Sequence, residues 1–237
     1  MHKVEFQQRL QGIKPRPVVP LQPGDKLVRM NLTASNPNLN AATFTSTELF
    51  SIWVEDLLRR EGARYGVGGY DEHRTIYARA EKFDTATEEP RRLHLGIDIW
   101  GPAGTPVYAP LAGTVHSFAD NNIFGDYGGT VILQHAVDGF VFHTLYGHLS
   151  RASLQNKTEG APVAAGEQFA TFGIAEENGH WPPHLHFQVI IDMQGKRGDY
   201  AGVCRFSERE HWLENCPDPD VLLRLMDRTE RKNADLL

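Results

Sequence analysis

Apolar residues change their spacing twice along the chain. Up to about residue 45 they are scattered among Pro15, Pro17, Pro20 and Pro23 and the turn-rich Asn36-Pro-Asn-Leu-Asn40. Prolines and turn residues restrict the backbone to extended or turn conformations, so 1–45 reads as an extended, loosely structured lead-in. Phe50, Trp53, Val54 and Leu57 then recur on one helical face. Thr45 and Glu48 form a capping-box pair, Phe44 is set to staple onto Leu49, and Gly62 supplies the stop. These signals predict a helical extension over 46–91.

From 92 to 192 the period becomes two. Thr130–His135 and Phe140–Tyr146 are β-rich runs separated by Asp138-Gly139, a hairpin signal. Further short strands are predicted around Val107, Val115, Phe169 and Phe187. Val221, Leu222, Leu225 and Met226 mark a short amphipathic helix after Pro217 and Pro219, within a C-terminal extension, 193–237, that packs on the β-domain. The predicted fold class is mainly β, α+β overall. It has an antiparallel sheet core with an open groove, plus N-terminal and C-terminal helices.

Composition narrows the function classes. A chain of 237 residues buries enough surface to fold without disulfides or a structural metal. A net charge of −6 supplies neither a nucleic-acid footprint nor a basic stripe for an anionic membrane. No apolar run approaches the roughly 18 residues of a transmembrane span. No apolar h-region is visible near the N-terminus, so the expected location is cytoplasmic, with Cys204 and Cys216 as reduced, buried or partly buried thiols. The oligomeric state is not legible.

Eleven histidines are the unusual count. In an extended strand His94, Gly96 and Asp98 share one face, with Leu95, Ile97 and Ile99 on the other. Gly96, without a side chain, leaves room for an ion, and imidazole with carboxylate is a ligand set that suits zinc. His184 and His186 share a face of a second strand, opposite Leu185, Phe187 and Val189. One of this pair is placed to ligate a metal and the other to reach a substrate. Thr144, Tyr146 and His148 share a third face if that strand stays regular. His73, in Tyr70-Asp-Glu-His-Arg74, is a candidate for the rim of the site. His116, His135, His143, His180 and His211 read as hydrogen-bonded core or surface residues. Rival chemistry is missing: there is no HExxH, GxSxG or Walker motif, and Gly66-Val-Gly-Gly69 reads as a turn.

At these residues the sequence resembles the lysostaphin-type zinc metallopeptidases, peptidoglycan endopeptidases built on a small antiparallel β-fold with an open groove. The likeness runs through 94–115, Tyr146-Gly-His-Leu149, the glycine-spaced 160–173 and Pro183-His-Leu-His-Phe187. It implies that His94, Asp98 and His186 are zinc ligands and that His148 and His184 are catalytic. Over roughly 30–225 the chain looks like an intracellular branch, in which such a domain also occurs fused to kinase-like and aminotransferase-like parts. Some family members carry an N-terminal asparagine that caps the zinc, and Asn36, Asn38 and Asn40 are candidates. Glu176-Glu-Asn-Gly-His-Trp-Pro-Pro183 departs from the usual Ser/Thr/Gly-rich loop, which implies a bulkier, more acidic groove wall.

The expected function is zinc-dependent hydrolysis of a peptide or similar amide bond, a cell-wall peptide among the candidates. One histidine would serve as base and the other as oxyanion stabiliser. Two alternatives stand beside it: a non-catalytic zinc-binding or scaffold domain, and an amidohydrolase acting on a small metabolite.

Overall fold

In the computed structural model, which describes residues 3–10, 12–84 and 87–230, the chain opens on helix α1 (Lys3–Leu10) and strand β1 (Leu27–Met30). Helices α2 (Ala41–Thr45) and α3 (Thr47–Glu61) follow, then β2 (Tyr65–Gly68), β3 (Glu72–His73) and a 3-10 turn over Thr75–Arg79. The next strands are β4 (Arg91–His94), β5 (Ile97–Trp100), β6 (Pro106–Tyr108), β7 (Gly113–Asn121) and β8 (Gly128–Val137). After them come β9 (Phe140–Leu149), β10 (Pro162–Val163), β11 (Gln168–Thr171) and β12 (His184–Ile190). The described residues end on β13 (Val203–Arg205), α4 (Arg209–Asn215), α5 (Asp220–Leu223) and α6 (Met226–Glu230). The fold is mainly β with helices at both ends, as the pattern predicts.

One eight-stranded sheet organises the molecule, in the order β1-β2-β5-β12-β9-β8-β7-β10. Its described pairings are antiparallel except β1 with β2. Alternation along β12 sends Leu185, Phe187 and Val189 into a core shared with Ile97, Ile99, Val131 and Leu133. The other face of β12 is left to the polar residues. A three-stranded sheet, β13-β4-β3, lies beside the large one.

Several sequence expectations give way here. The 1–45 segment is not loose: Phe6 and Leu10, one helical turn apart, pack α1 onto the β8–β9 hairpin, with Phe6 ring centroids 5.8 Å from Phe140 and 5.2 Å from Phe142. Val18, Val19 and Leu27 are buried in the same core. Nor is 46–91 purely helical, because β2 is an internal strand of the large sheet. Gly66-Val-Gly-Gly69 is thus mostly strand rather than turn. Its glycines are explained by crowding: a Cβ on Gly66 would lie 2.6 Å from Met30 Sδ, and one on Gly68 2.9 Å from Arg74 Nη2.

The α3 cap sits one residue later than predicted. Ser46 Oγ accepts from Leu49 N at 3.2 Å, and Gly62 closes the helix at φ 59°. Leu49 is exposed, so no staple forms on it; Phe44 is buried in the cluster that holds Phe50. The C-terminal helix is two short ones, broken where Arg224 takes φ 51° and Asp220 Oδ1 accepts from Leu225 N and Met226 N. Asp138 and Gly139, both at positive φ, make the expected hairpin turn. Cys204 and Cys216 are free and buried. Among the described residues no helix is long and apolar enough to cross a membrane.

Candidate metal centre

β5 and β12 pair so that His186 stands opposite Asp98 and His184 opposite Trp100. His94 arrives differently. The expected single strand through His94, Gly96 and Asp98 is broken at Leu95-Gly96, and His94 belongs to the smaller sheet while Asp98 belongs to the larger. This crossing folds His94 back, placing its Nε2 3.3 Å from Asp98 Oδ1. His186 Nδ1 lies 3.1 Å from the same oxygen and 2.9 Å from His94 Nε2. Gly96 does leave room, but for the imidazole of His186: a Cβ there would meet His186 Cε1 at 2.5 Å and Phe187 O at 2.8 Å.

The outer hydrogen bonds decide where the protons are. His94 Nδ1 lies 2.9 Å from Gly69 O, and a carbonyl only accepts, so Nδ1 carries the proton. Gln188 Nε2 donates to Ala201 O, which turns Gln188 Oε1 toward His186 Nε2 at 3.0 Å. His186 Nε2 must therefore donate. Two lone-pair nitrogens and a carboxylate oxygen then face one another, with no proton among them in the neutral rings. Such a cluster is electrostatically satisfied by a cation, and two imidazoles with a carboxylate suit zinc. We expect Gly96→Ala to push His186 aside, costing about 1–3 kcal/mol of stability and weakening metal uptake. Calorimetric titration with zinc and a urea melt are the checks, and an alanine variant matching the parent in both would refute the close fit.

Sequence reasoning missed Arg74. Its guanidinium is fully buried, bonds Asp98 Oδ2 and donates through Nε to Glu72 Oε2 at 2.7 Å. Burial pushes the Asp98 carboxyl up, but His94 and Arg74 more than reverse this and hold it well below the usual carboxylate range. In sequence, Asp71-Glu-His-Arg74 looks like a solvated charge run, and only the folded chain turns its last residue inward. His73, the rim candidate, is exposed beside Phe206 and does not line the cavity.

His148 and His184 stand next to the cluster with ring centroids 4.0 Å apart, and His184 stacks on the Trp100 indole at 3.9 Å. The third strand does not stay regular. His148 takes φ 61° at its end, which swings the ring onto the polar face while Tyr146 stays in the core beside Phe169 and Phe187. Both rings donate Nδ1–H to backbone carbonyls, His148 to Asn178 O and His184 to Pro182 O, each at 2.8 Å. Each Nε2 thus carries a free lone pair. Burial lowers both rings, His184 to about 4 and His148 well below its ordinary value with help from His184, so both are neutral at pH 7.

Asp98 and His186 of the cluster, with His148 and His184, border a partly open cavity of about 90 Å³, walled by Tyr77, Phe83, Tyr127, Trp181 and Tyr200 among others. The 176–183 loop is bulky, as expected, through Trp181. It is not acidic toward the cavity, because Glu177 is occupied in capping Arg151 N and Ile174 N. Asn36 and Asn38 line a separate surface hollow, and Asn40 caps α2, so none of the three asparagines approaches the cluster. His135 is a hydrogen-bonded core residue, bound to Ala112 O and Thr144 Oγ1.

With burial holding His94 and His184 near 4 against about 6.5 unfolded, the unfolded chain binds more protons between those values. Stability then rises with pH across that window and is lost as pH falls from about 6.5 toward 4. We expect the metal-free protein to unfold at lower urea at pH 5 than at pH 7.5. Equal midpoints would contradict the neutral, buried state of these rings.

Residues 92–199 match the family model described as Peptidase family M23. The uncharacterized lipoprotein YgeR of Escherichia coli is 36% identical over 94 residues, 40% of this chain and 33% of the relative. The DD-carboxypeptidase/endopeptidase Mpg of Neisseria meningitidis is 39% identical over 103 residues, 44% of this chain and 21% of the relative. The chain thus spans a third or less of the length of these relatives. Among solved structures, the catalytic domain of lysostaphin from Staphylococcus simulans aligns with 25% identity and a TM-score of 0.36, covering 51% of this chain and 80% of that one. Residues 92–199, just under half of the chain, thus match peptidase family M23, and the motifs at 94–98, 146–149 and 183–187 all fall inside that match.

Proposed function

We propose that the chain is a zinc-dependent hydrolase of a peptide or similar amide bond, with His94, Asp98 and His186 holding the metal and His148 and His184 moving protons. The observation that carries this is the pair of free Nε2 lone pairs beside a cluster of three converging acceptors. Bound zinc would act as a Lewis acid, activating the attacking water and polarising the scissile carbonyl.

The chain's own residues account for the rest. A neutral imidazole with its Nδ1–H on a carbonyl cannot donate from Nε2 to an oxyanion. Both rings therefore start as acceptors, rather than one as base and the other as oxyanion stabiliser. As water oxygen bonds to the carbonyl carbon, its proton passes to Nε2 of one ring. The resulting imidazolium then returns that proton to the leaving nitrogen as the C–N bond breaks, giving a carboxylic acid and an amine. The remaining hydroxyl proton passes to the amine to leave a carboxylate and an ammonium. Asn178 and Pro182, through their carbonyls, keep the two rings in the tautomer this requires.

A cell-wall peptide is a substrate candidate because Mpg is named a DD-carboxypeptidase/endopeptidase. The cytoplasmic expectation draws no support from the matched relatives, of which two are named lipoproteins. The decisive test is elemental analysis followed by amine release from peptide substrates by the zinc-loaded protein. A protein that takes up no zinc at micromolar concentration would end this reading.

A further inference from the structure

Arg74, whose guanidinium touches the cluster, comes from outside the family-matched 92–199. Two strand registers deliver it. Gly68 of β2 stands opposite Asp98, and Glu72 of β3 stands opposite His94, so the turn between them wraps both residues. That turn is pinned. Asp71 takes φ 57°, donates its N–H to His94 O at 2.9 Å, and holds the Arg209 guanidinium with its carboxylate. The Arg74 N–H donates to Arg92 O at 2.9 Å, and Gly68 lacks the Cβ that would lie 2.9 Å from Arg74 Nη2. The backbone thus sets the fully buried guanidinium against Asp98.

Its contacts divide the Asp98 carboxylate. Oδ1 faces His94 Nε2 at 3.3 Å and His186 Nδ1 at 3.1 Å, while Arg74 Nη1 takes Oδ2. A free carboxylate can hold a cation through one oxygen or both. This one has a single oxygen left to give. Arg74 Nη2 also lies 3.4 Å from Gly69 O, the carbonyl that accepts His94 Nδ1–H. One side chain therefore reaches the outer side of two of the three clustered residues. Its charge is answered by Glu72, whose Oε2 accepts from Arg74 Nε at 2.7 Å.

We propose that Arg74 is a positioning residue that restricts Asp98 to one-oxygen ligation and whose charge opposes the bound cation, with Glu72 setting how strongly. This rests on the metal-dependent reading above. Removing Arg74 has two competing effects. Lost positioning weakens binding, since an outer partner of a metal ligand usually contributes about 10–100-fold in affinity. Lost repulsion strengthens binding, and it acts on a divalent ion in a buried site where charges are poorly screened. The second effect wins here. Gly69 O still orients His94 and Gln188 still orients His186, while Asp98 gains a second free oxygen. The site as built gives up affinity and keeps a coordination position open for water or substrate.

The test is metal binding by the full chain, with no substrate present. Zinc affinity is read by competition with a chromophoric chelator. Coordination is read from the visible absorption of the cobalt(II)-loaded protein, which weakens severalfold as the ion passes from four ligands to five or six. Arg74→Met is expected to bind zinc about 10-fold more tightly than the parent. Its cobalt bands should be weaker, because Asp98 closes on the ion with both oxygens. Glu72→Gln, which leaves the guanidinium uncompensated, is expected to bind zinc about 10-fold more weakly with the cobalt bands unchanged. A merely structural role for the pair would not move the two affinities in opposite directions. Zinc binding by Arg74→Met no tighter than the parent's, or parental cobalt bands, would overturn the proposal and leave the hydrolase reading standing. So would a Glu72→Gln affinity equal to or above that of the parent. If Arg74→Met does not fold, Glu72→Gln decides alone. A parent that takes up neither metal would end the metal-dependent reading and this proposal with it.

Discussion

Alanine at His148 or His184 is expected to lower the hydrolysis rate by about 10²–10⁴-fold, the range for one acid–base group, while leaving zinc content at the parental level. Alanine at His94, Asp98 or His186 is expected to remove both. The contrast follows from geometry: the first pair presents Nε2 to the cavity beside the cluster, and the second set makes up the cluster. Loss of the metal also removes its linkage to folding, about 4 kcal/mol when free zinc stands at 1,000 times its dissociation constant. Parent and ligand variants should therefore differ in melting temperature with zinc and less so with a chelator. Elemental analysis, denaturation and amine release measured together check all of this. If His184→Ala lost zinc while His186→Ala kept it, the assignment within the His-Leu-His stretch would be reversed.

Arg74→Met is expected to destabilise the metal-free protein by about 3–5 kcal/mol, because removing one partner of a buried ion pair strands the other charge. Here the stranded group is Asp98, 2% exposed, with Glu72 close by. Zinc should restore part of the loss, since a cation on Asp98 compensates the same carboxylate. Arg74→Lys should fall short of rescue, as an ammonium cannot bridge Asp98, Glu72 and Gly69 O as the planar guanidinium does. Urea unfolding with and without zinc is the measurement. An Arg74→Met loss equal in both conditions would show that the arginine acts apart from the metal cluster.

The β-domain and the identities of the clustered residues were legible in the sequence, because strand alternation and motif order are local properties. His184 and His186 share a face of β12 simply because the side-chain period of a strand is two. The N-terminal 91 residues were harder to read. Their prolines and glycines carry the signals of turns and loops, yet β1 and β2 extend the large sheet, and Gly66 and Gly68 mark where Met30 and Arg74 press on it.

Residue order alone determined that two imidazole-bearing strands with apolar backs would build a polar face on a β-core, and that a carboxylate would join it. Tertiary structure decided the rest. His94 reaches Asp98 through a break between two sheets, His148 turns onto the site by a positive φ, and Arg74 comes in from a run that reads as surface. Lys82 pairs with Asp126, and Tyr127 packs on Gly202. Such contacts depend on loop closure and packing between segments distant in sequence, which no local period encodes.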